Sequence, residues 1–185
     1  MIMKGIEFYL FNEELWYRRG NETRRFSEAD TDIVDLLIDR IYNDYPTAYK
    51  ALNKEYGKFS DDPAYMRFRM VSRFCRCNFG SIDNILDIDS TERLKFECVP
   101  CPLRGECKNE NKICNPQFNT SVSKSEERVL RLWLSNLSEE EVAEKLCLSP
   151  YTVHNHIYNA YSKLGVRTRA EFFAYCVQHN LFINE

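Results

Sequence analysis

The sequence has no long hydrophobic run and no excess of positive charge. No apolar stretch approaches the roughly 18 residues that a membrane-spanning helix requires. Lys4, Glu7 and Glu13 interrupt the region in which a secretion signal would carry its hydrophobic segment. We therefore expect a globular, cytoplasmic protein with no membrane partner. The formal net charge of −3 argues against general coating of nucleic acid, but it permits a sequence-specific DNA-binding protein with one polarised face.

Arrangements typical of enzymes are also missing. We find no paired general acid and base, no nucleophile–histidine arrangement and no glycine-rich phosphate loop, and all three histidines lie in the last third of the chain. There is no internal repeat and no low-complexity segment. These absences favour a binding or regulatory protein and predict that the chain is not an enzyme.

Four helices are predicted between residues 122 and 182 from hydrophobic spacing and from residues that favour helix ends. The third begins at Ser149 and Pro150, because proline at the first helical position loses only an N–H that has no partner. It ends before Gly165, which can adopt the left-handed conformation. Capping boxes, in which a hydroxyl and a carboxylate satisfy N–H groups of the first turn, open the second and fourth helices at Ser138 with Glu141 and at Thr168 with Glu171.

The third of these helices has an apolar side and a polar side. Its apolar residues gather where they suit burial, at Val153, Ile157, Ala160, Tyr161 and Leu164. The opposite side carries Tyr151, Asn155, Tyr158, Asn159 and Ser162, with His154 and His156 on the flanks. Asparagine can pair with base edges, hydroxyls can bind phosphates or bases, and residues 146–170 include no acid that would repel a phosphate backbone. The pattern predicts a helix that reads the major groove of double-stranded DNA.

The segment of residues 122–182 resembles the LuxR-type helix-turn-helix of bacterial transcription regulators. The motifs that carry this resemblance occur in the family's order, namely Ser123-x-x-Glu126, Glu141-Val142-Ala143-Glu144-Lys145-Leu146, Thr152-Val153, Lys163-Leu164-Gly165-Val166 and Arg169-Ala170-Glu171. The resemblance implies that residues 148–164 hold the recognition helix. It implies base-facing positions at His154, Asn155 and Tyr158, and phosphate contacts at Thr152, Lys163, Arg167 and Thr168. We add Asn159, on the same polar side, to the predicted DNA-binding residues.

The resemblance also implies partners. Members of the family tend to dimerise through the fourth helix, here through an apolar surface that would include Phe173, Tyr175 and Cys176. We therefore expect a homodimer on double-stranded DNA, with RNA polymerase as a further partner. His154 and Tyr158 stand where many members carry lysine, and the segment has as many acidic as basic side chains. Because phosphate neutralisation dominates affinity, we expect weak binding with a shallow salt dependence, supported by dimerisation or by the rest of the chain.

Residues 1–60 are predicted to form a small α+β region. Ile6, Phe8 and Leu10 recur at strand spacing before a second aromatic-rich run, which indicates a hairpin or meander. A helix capped by Ser27 follows and ends at Pro46, and a shorter helix covers residues 47–56. Strand–helix repeats are missing, so residues 1–121 are not the phosphoreceiver domain that often precedes this type of helix-turn-helix.

Residues 61–121 are predicted to form a cysteine-rich metal-binding region. It opens with a basic amphipathic helix, whose arginines could add phosphate contacts or form a solvated face: Arg67, Arg69, Arg73 and Arg76. Six of the eight cysteines lie between residues 75 and 114, and the last four of these are spaced C-x2-C-x5-C-x6-C. Clustered thiolates can form a tetrahedral zinc site or hold an iron–sulfur cluster. We expect one metal centre with four ligands, namely Cys101, Cys107 and Cys114 together with Cys77 or Cys98. Zinc is the expected metal, a [4Fe–4S] cluster is the alternative, and free buried thiols are a third possibility.

Part of this block has a resemblance of its own. Residues 98–107 read C-x2-C-P-x-R-x2-C, which resembles the cluster-binding motif of WhiB-like regulators and implies a [4Fe–4S] cluster with Cys77 or Cys75 as the fourth ligand. The glycine- and tryptophan-containing turn that this family carries downstream is absent, and Cys114 has no counterpart in the motif. Cys147 and Cys176 lie in short apolar helices, and we predict that both simply pack in the core.

Together these patterns predict a mainly α (α+β) protein with an N-terminal α+β module that contains a cysteine metal site and a C-terminal four-helix LuxR-type helix-turn-helix. The predicted parts are residues 1–60, 61–121 and 122–185. The predicted function is transcription regulation by DNA binding. Two alternatives remain: a thiol redox switch in which Cys75 and Cys77 cycle, which needs a low-pKa thiolate near Arg73 and Arg76, and an adaptor whose helix-turn-helix binds protein rather than DNA.

Overall fold

The computed structural model describes residues 5–80, 82–83, 85–90, 92–179 and 181–182. The chain divides into two compact units, unit 1 at residues 1–117 and unit 2 at residues 118–185. Within the described ranges, no helix combines the length and the apolar composition needed to cross a membrane. The finer division of unit 1 at residue 60 stays a prediction.

Unit 1 begins with a three-stranded antiparallel meander, as predicted. The strands are β1 (Ile6–Phe11), β2 (Glu14–Arg19) and β3 (Glu22–Arg25), in the order β1-β2-β3. Asn12 and Glu13 join β1 to β2 with φ angles of 49° and 63°, the positive values that a two-residue type I′ turn requires. Phe8 pairs with Tyr17 across the two strands, and both are buried, so one face of the sheet points into the core.

Three α-helices follow the sheet: α1 (Thr31–Asp44), α2 (Pro46–Tyr56) and α3 (Pro63–Asn78), with a short 3-10 helix at Gly57–Phe59. The prediction that Ser27 caps the first helix is wrong. Asp30 is the N-cap residue of α1, and the Ser27 backbone N–H and hydroxyl donate to the Asp30 carboxylate at 2.8 and 3.1 Å. Ser27 therefore belongs to a turn that precedes the helix.

The described part of unit 1 after residue 78 has little regular secondary structure and is held by long-range contacts. Ile88 exchanges two backbone hydrogen bonds with Ile6, at 2.8 and 3.0 Å, and so extends the free edge of β1. At the end of α3, the buried Asn78 amide donates to the Ile113 carbonyl at 2.8 Å and accepts from the Asn115 N–H at 2.7 Å. These contacts fix the start and the end of the cysteine-containing segment.

Unit 2 contains the four predicted helices: α4 (Lys124–Leu134), α5 (Glu139–Leu146), α6 (Pro150–Leu164) and α7 (Arg169–His179). Complete capping boxes open α4 and α5. The box predicted for α7 differs, because the Glu171 N–H donates to Thr168 Oγ1 at 3.1 Å while the Glu171 carboxylate accepts from the Arg167 N–H at 2.8 Å. Gly165 ends α6 with φ = 70°, the left-handed conformation expected of it.

The two cysteines of unit 2 differ in their surroundings. Cys176 is fully buried, as predicted, in a cluster with Leu130, Ala160 and Phe172. The same prediction is wrong for Cys147, which is exposed and has a φ angle of 53° at the end of α5. Its N–H donates to the carbonyls of Ala143 and Glu144, so Cys147 terminates the helix instead of packing in the core.

Candidate nucleic-acid interface and cysteine cavity

One side of α6 is buried and the other faces solvent. Val153, Ile157, Ala160 and Leu164 all lie in the unit 2 core. On the opposite side Tyr151 and Tyr158 are 75% and 69% exposed, His154 and Asn159 are exposed, and Asn155 is half-buried. We call the set Tyr151, His154, Asn155, Tyr158 and Asn159 the outer face of α6. Two large rings left in water contribute no burial energy to the fold, and exposed apolar surface of this kind is typical of a contact with a partner.

Contacts with α4 and the loops around it hold α6 in place. The Trp133 indole N–H donates to the Tyr161 hydroxyl at 2.8 Å. The Arg169 guanidinium lies 3.7 Å from the centre of the Trp133 ring and donates to the Leu137 carbonyl at 2.9 Å. These groups hold α6 from its buried side, opposite the outer face.

Two predicted DNA-binding residues already have partners. Both carboxylate oxygens of Glu126 accept from the Lys163 ammonium, at 2.9 and 2.7 Å, and Glu126 is only 4% exposed. Burial works to raise the pKa of Glu126, but the hydrogen bonds from Lys163 and Ser123 outweigh it and lower the pKa. His154 Nδ1 lies 3.1 Å from a Glu139 oxygen. A phosphate contact by Lys163 would require it to leave Glu126 at least in part.

The remaining predicted phosphate contacts lie at helix N-termini. Thr152 is in the first turn of α6, where its N–H donates to the Ser149 hydroxyl at 3.0 Å. Thr168 precedes α7, and Arg167 beside it is exposed. Backbone N–H groups and the helix dipole make such ends suitable for phosphate. Thr152 therefore lies at an N-terminus without an acidic side chain in its first turn, whereas the start of α7 already carries the Glu171 carboxylate.

The α7 surface is apolar but differs from the predicted one. Phe173 and Val177 are 56% and 57% exposed, and Tyr175 is half-buried. Cys176 was expected on this surface, but it is buried in the core and cannot belong to it. Val177 replaces it as an exposed apolar side chain.

Four cysteines of unit 1 line one cavity of about 250 Å³, which we call the cysteine cavity: Cys77, Cys101, Cys107 and Cys114. Cys77 comes from the last turn of α3, and the other three come from the irregular segment that follows. Arg73, Arg76 and Arg104 also line the cavity. Cys98 is exposed and is not part of the lining, and Cys75 is fully buried elsewhere. Of the five predicted metal ligands, the structure thus brings four together.

Tight turns place the loop cysteines around the cavity. The Cys107 N–H donates to the Leu103 carbonyl at 2.9 Å, and Gly105 between them has φ = 88°, which favours glycine. Cys114 Sγ accepts the Asn111 N–H at 3.4 Å. Across the described residues, no three Cys, His, Asp or Glu side chains are grouped closely enough to hold a metal ion. Metal binding would therefore require the four sulfurs to draw together.

The electrostatics of the cysteine cavity favour a protonated thiol at Cys77. Burial raises the pKa of Cys77 to about 11, neighbouring thiols add to the effect, and Arg73 opposes it. Burial also raises the pKa of Cys75 well above its ordinary value. Residues two apart on a helix do not face each other. Both the raised pKa values and the helix geometry therefore count against a redox switch formed by Cys75 and Cys77.

Two features of the sites were not predicted from the sequence. The Glu126–Lys163 ion pair joins residues far apart in the chain, and no sequence signal indicated it. A second cavity of unit 1 is lined by several arginines of α3. Its signal was present, because Arg69, Arg73 and Arg76 recur at helical spacing.

Comparison with known proteins finds one family model and several curated relatives. The family described as "Bacterial regulatory proteins, luxR family" matches residues 120–176. Fimbriae Z protein of Escherichia coli (strain K12) is 40% identical over 86 residues, which are 46% of this chain and 41% of that protein. Transcriptional regulatory protein LnrK of Bacillus subtilis (strain 168) is 33% identical over 78 residues, 42% of this chain and 36% of that protein.

Spore germination protein GerE of Bacillus subtilis (strain 168) is matched over most of its length. It is 40% identical over 55 residues, which are 30% of this chain and 74% of GerE. The chain spans less than half the length of Fimbriae Z protein and of LnrK. No solved structure matches the chain.

Proposed function

The chain belongs to the luxR family of bacterial regulatory proteins, and from this premise we propose that it is a transcription regulator, not an enzyme, that binds double-stranded DNA in the cytoplasm through α6. The observation that carries the proposal is the outer face of α6, which presents exposed Tyr, His and Asn side chains on a helix whose opposite side is buried. A rigid helix with neutral hydrogen-bonding groups outward matches the width and chemistry of the major groove.

The side chains of the outer face divide the work of recognition by their chemistry. An asparagine amide can pair with both N6 and N7 of adenine, so Asn155 and Asn159 are suited to base readout. Tyr158 offers a hydroxyl and a ring that can contact a thymine methyl group. Thr152, Arg167 and Thr168 would fix the register on phosphates, which position a protein without specifying sequence.

Lys163 gives the interface a built-in competition. Its ammonium is shared between the buried Glu126 carboxylate and any DNA phosphate that it contacts. An uncompensated buried carboxylate is costly, so Lys163 contributes less to affinity than an unpaired lysine at the same place. The proposal therefore includes dimerisation through α7, with Phe173 and Val177 in the contact, and RNA polymerase as a further partner.

We also propose that unit 1 holds a cysteine-ligated metal centre with a structural or sensing role. The support is that four cysteines, one from α3 and three from the segment after it, line a single cavity. Zinc is the first candidate, because a metal clip stabilises a segment with little secondary structure. Zinc needs its sulfurs about 3.8 Å apart, given a Zn–S distance of about 2.3 Å. A [4Fe–4S] cluster is larger and lets its four thiolates lie further apart, so it is the alternative.

The DNA-binding proposal is tested by selection from a pool of randomised duplexes with the full chain. We expect a recovered consensus, and weaker binding of that duplex by an Asn155→Ala variant than by an Asn53→Ala control, which changes an exposed asparagine of α2. Recovery of no consensus, with no binding of any duplex, would overturn the proposal and favour the protein-binding adaptor.

The metal proposal is tested by purification without oxygen followed by measurement of zinc, iron and acid-labile sulfide per chain. We expect one metal centre per chain. It should be lost in Cys107→Ser and retained in Cys98→Ser, because Cys107 lines the cavity and Cys98 does not. Zinc in a colourless sample would identify a structural clip, and iron with matching sulfide would identify a sensor. A metal-free chain would return the cysteines to thiol chemistry or packing.

A further inference from the structure

Unit 1 contains a second cavity, of about 410 Å³, with four arginines in its wall: Arg25, Arg69, Arg73 and Arg76. We call it the arginine cavity. Among the described residues that line it, Glu14 alone carries a carboxylate. That carboxylate already pairs with Arg25, at 3.1 Å. The positive charge of the cavity therefore exceeds its negative charge by a wide margin.

The α3 side of the arginine cavity is a single helical face. Arg69, Ser72, Arg73 and Arg76 are spaced at i, i+3, i+4 and i+7, so their side chains lie in one row. Like charges at these spacings destabilise a helix. A bound anion would convert this repulsion into attraction, and the Ser72 hydroxyl in the same row adds a neutral donor.

Neighbouring groups hold these guanidinium groups in place before any ligand arrives. Arg69 lies between three aromatic rings, 5.7 Å from Tyr56, 5.9 Å from Phe59 and 5.6 Å from Tyr65, and donates to the Tyr65 hydroxyl at 2.8 Å. Arg76 donates to the Glu13 carbonyl at 2.8 Å. A guanidinium has five N–H donors, so each arginine keeps donors for a ligand while losing little side-chain entropy when the ligand binds.

Shape and lining point to a small molecule. A volume of about 410 Å³ is in the range of small-molecule sites, and an extended DNA backbone needs an open surface instead. Phe26, Tyr56 and Phe68 form apolar wall. Arginine forks match the oxygens of phosphate groups. We propose that the arginine cavity binds a phosphorylated small molecule, with its phosphate groups on the guanidinium groups and its body against the aromatic wall.

The arginine cavity shares Arg73 and Arg76 with the cysteine cavity, whereas Arg25 and Arg69 line the arginine cavity alone. Substitutions at Arg25 and Arg69 therefore probe the ligand without changing the surroundings of the thiols. The proposal depends neither on DNA binding nor on a metal, so it can fail while the proposed function stands.

The test is isothermal titration calorimetry of the full chain with pyrophosphate, with adenosine triphosphate and with adenosine. We expect saturable binding of at least one of the two phosphorylated probes and none of adenosine. Arg69→Gln should weaken binding about tenfold or more, because it removes a hydrogen-bonding charge. Arg25→Gln, at an exposed edge-strand position, should act in the same direction and covers the case in which Arg69→Gln disturbs the aromatic packing.

The matched control is Arg67→Gln, which removes the same charge from the same helix but lies outside the cavity lining and pairs with Asp35 at 2.7 Å. It should bind the probes as the unmodified chain does. The proposal is overturned if neither phosphorylated probe binds saturably, if adenosine binds equally well, or if Arg67→Gln loses as much affinity as Arg25→Gln and Arg69→Gln.

Discussion

The two units of this chain reach their structures in different ways. Unit 2 is built from helices whose ends are set by residues within the same turn, such as Ser123, Ser138 and Gly165. Unit 1 relies on contacts between distant residues, such as Ile6 with Ile88 and Asn78 with Asn115. We infer that unit 2 can fold without unit 1. In unit 1, the conformation of the cysteine-containing segment depends on long-range contacts of this kind.

The units also differ in how they use polar groups. Unit 1 buries Glu7, Asp30, Asn78 and Asp87, and unit 2 buries Glu126. The buried polar groups of unit 1 connect its sheet, helices and irregular segment, as when Asp87 accepts the Phe8 N–H at 2.6 Å. In unit 2, by contrast, the polar side chains of the outer face of α6 lie at the surface, where a partner can reach them.

The largest predicted effect concerns the core of unit 2. Phe172 is fully buried, so Phe172→Ala should cost about 3–5 kcal/mol of unfolding free energy and abolish DNA binding. If unit 2 is self-sufficient, amide exchange followed by mass spectrometry should show lost protection in residues 124–179 and retained protection in β1 and β2. The control Glu144→Ala, at an exposed position of α5 outside the proposed interfaces, should change stability by less than about 0.5 kcal/mol. Equal loss of protection in both units would show that unit 2 does not unfold independently of unit 1.

A smaller effect is expected at Asn78, which connects the end of α3 to the cysteine-containing segment of unit 1. Asn78→Ala removes the groups that bond Ile113 and Asn115 and should cost about 2–3 kcal/mol, because buried partners are left unsatisfied. Urea unfolding measures the loss, and limited proteolysis should show faster cleavage between residues 98 and 117. Asn53→Ala, an exposed asparagine of α2, is the control. Unchanged proteolysis of the cysteine segment in Asn78→Ala would show that its order has another source.

The buried Asp87 carboxyl predicts a pH dependence. Burial raises its pKa to about 8, above the value of about 3.9 in an unfolded chain. The folded chain keeps this proton where the unfolded chain has lost it, so the stabilising contribution is full below about pH 4 and is lost as the pH rises through about 8. Asp87→Asn should flatten the decline in stability across this window, measured by thermal unfolding at several pH values. A decline that persists unchanged in Asp87→Asn would assign it to other groups.

The smallest predicted effect concerns the capping box at the start of α5 in unit 2. Ser138→Ala removes the cap of α5, including the bond at 3.2 Å from the Glu141 N–H, and should cost about 1 kcal/mol. Ser135→Ala, also exposed and just beyond α4, should cost less than about 0.5 kcal/mol. Urea unfolding of both variants checks the difference. Equal costs would mean that the capping box adds little to unit 2.

The contrast between the units also explains what the sequence could predict. The helices of unit 2 and the meander of unit 1 were predictable because capping, turn and periodicity signals act over a few residues. Ser27 was misassigned because the N-cap residue of α1 is Asp30, whose carboxylate accepts hydrogen bonds from Ser27. Cys147 was misassigned because it adopts the left-handed conformation that ends α5. The pairing of Ile6 with Ile88 leaves no periodic pattern at all.

The candidate sites follow the same rule. The outer face of α6 was predictable from helical spacing alone. The clustering of cysteines indicated a shared site, but spacing did not show that Cys98 lies outside the cavity while Cys77 of α3 lines it. The arginine cavity depends on β3, α2 and α3 meeting in space, which only the structure reveals.

The most direct test of DNA recognition by α6 is a double-mutant cycle on the selected duplex. Each base pair is changed in turn, and the affinities of the unmodified chain, Asn155→Ala and Asn53→Ala are measured at one salt concentration. We predict one position at which the change costs the unmodified chain and Asn53→Ala about 1–3 kcal/mol and costs Asn155→Ala almost nothing further. If Asn155→Ala weakened binding to every duplex equally, or to none, the outer face of α6 would not read the bases.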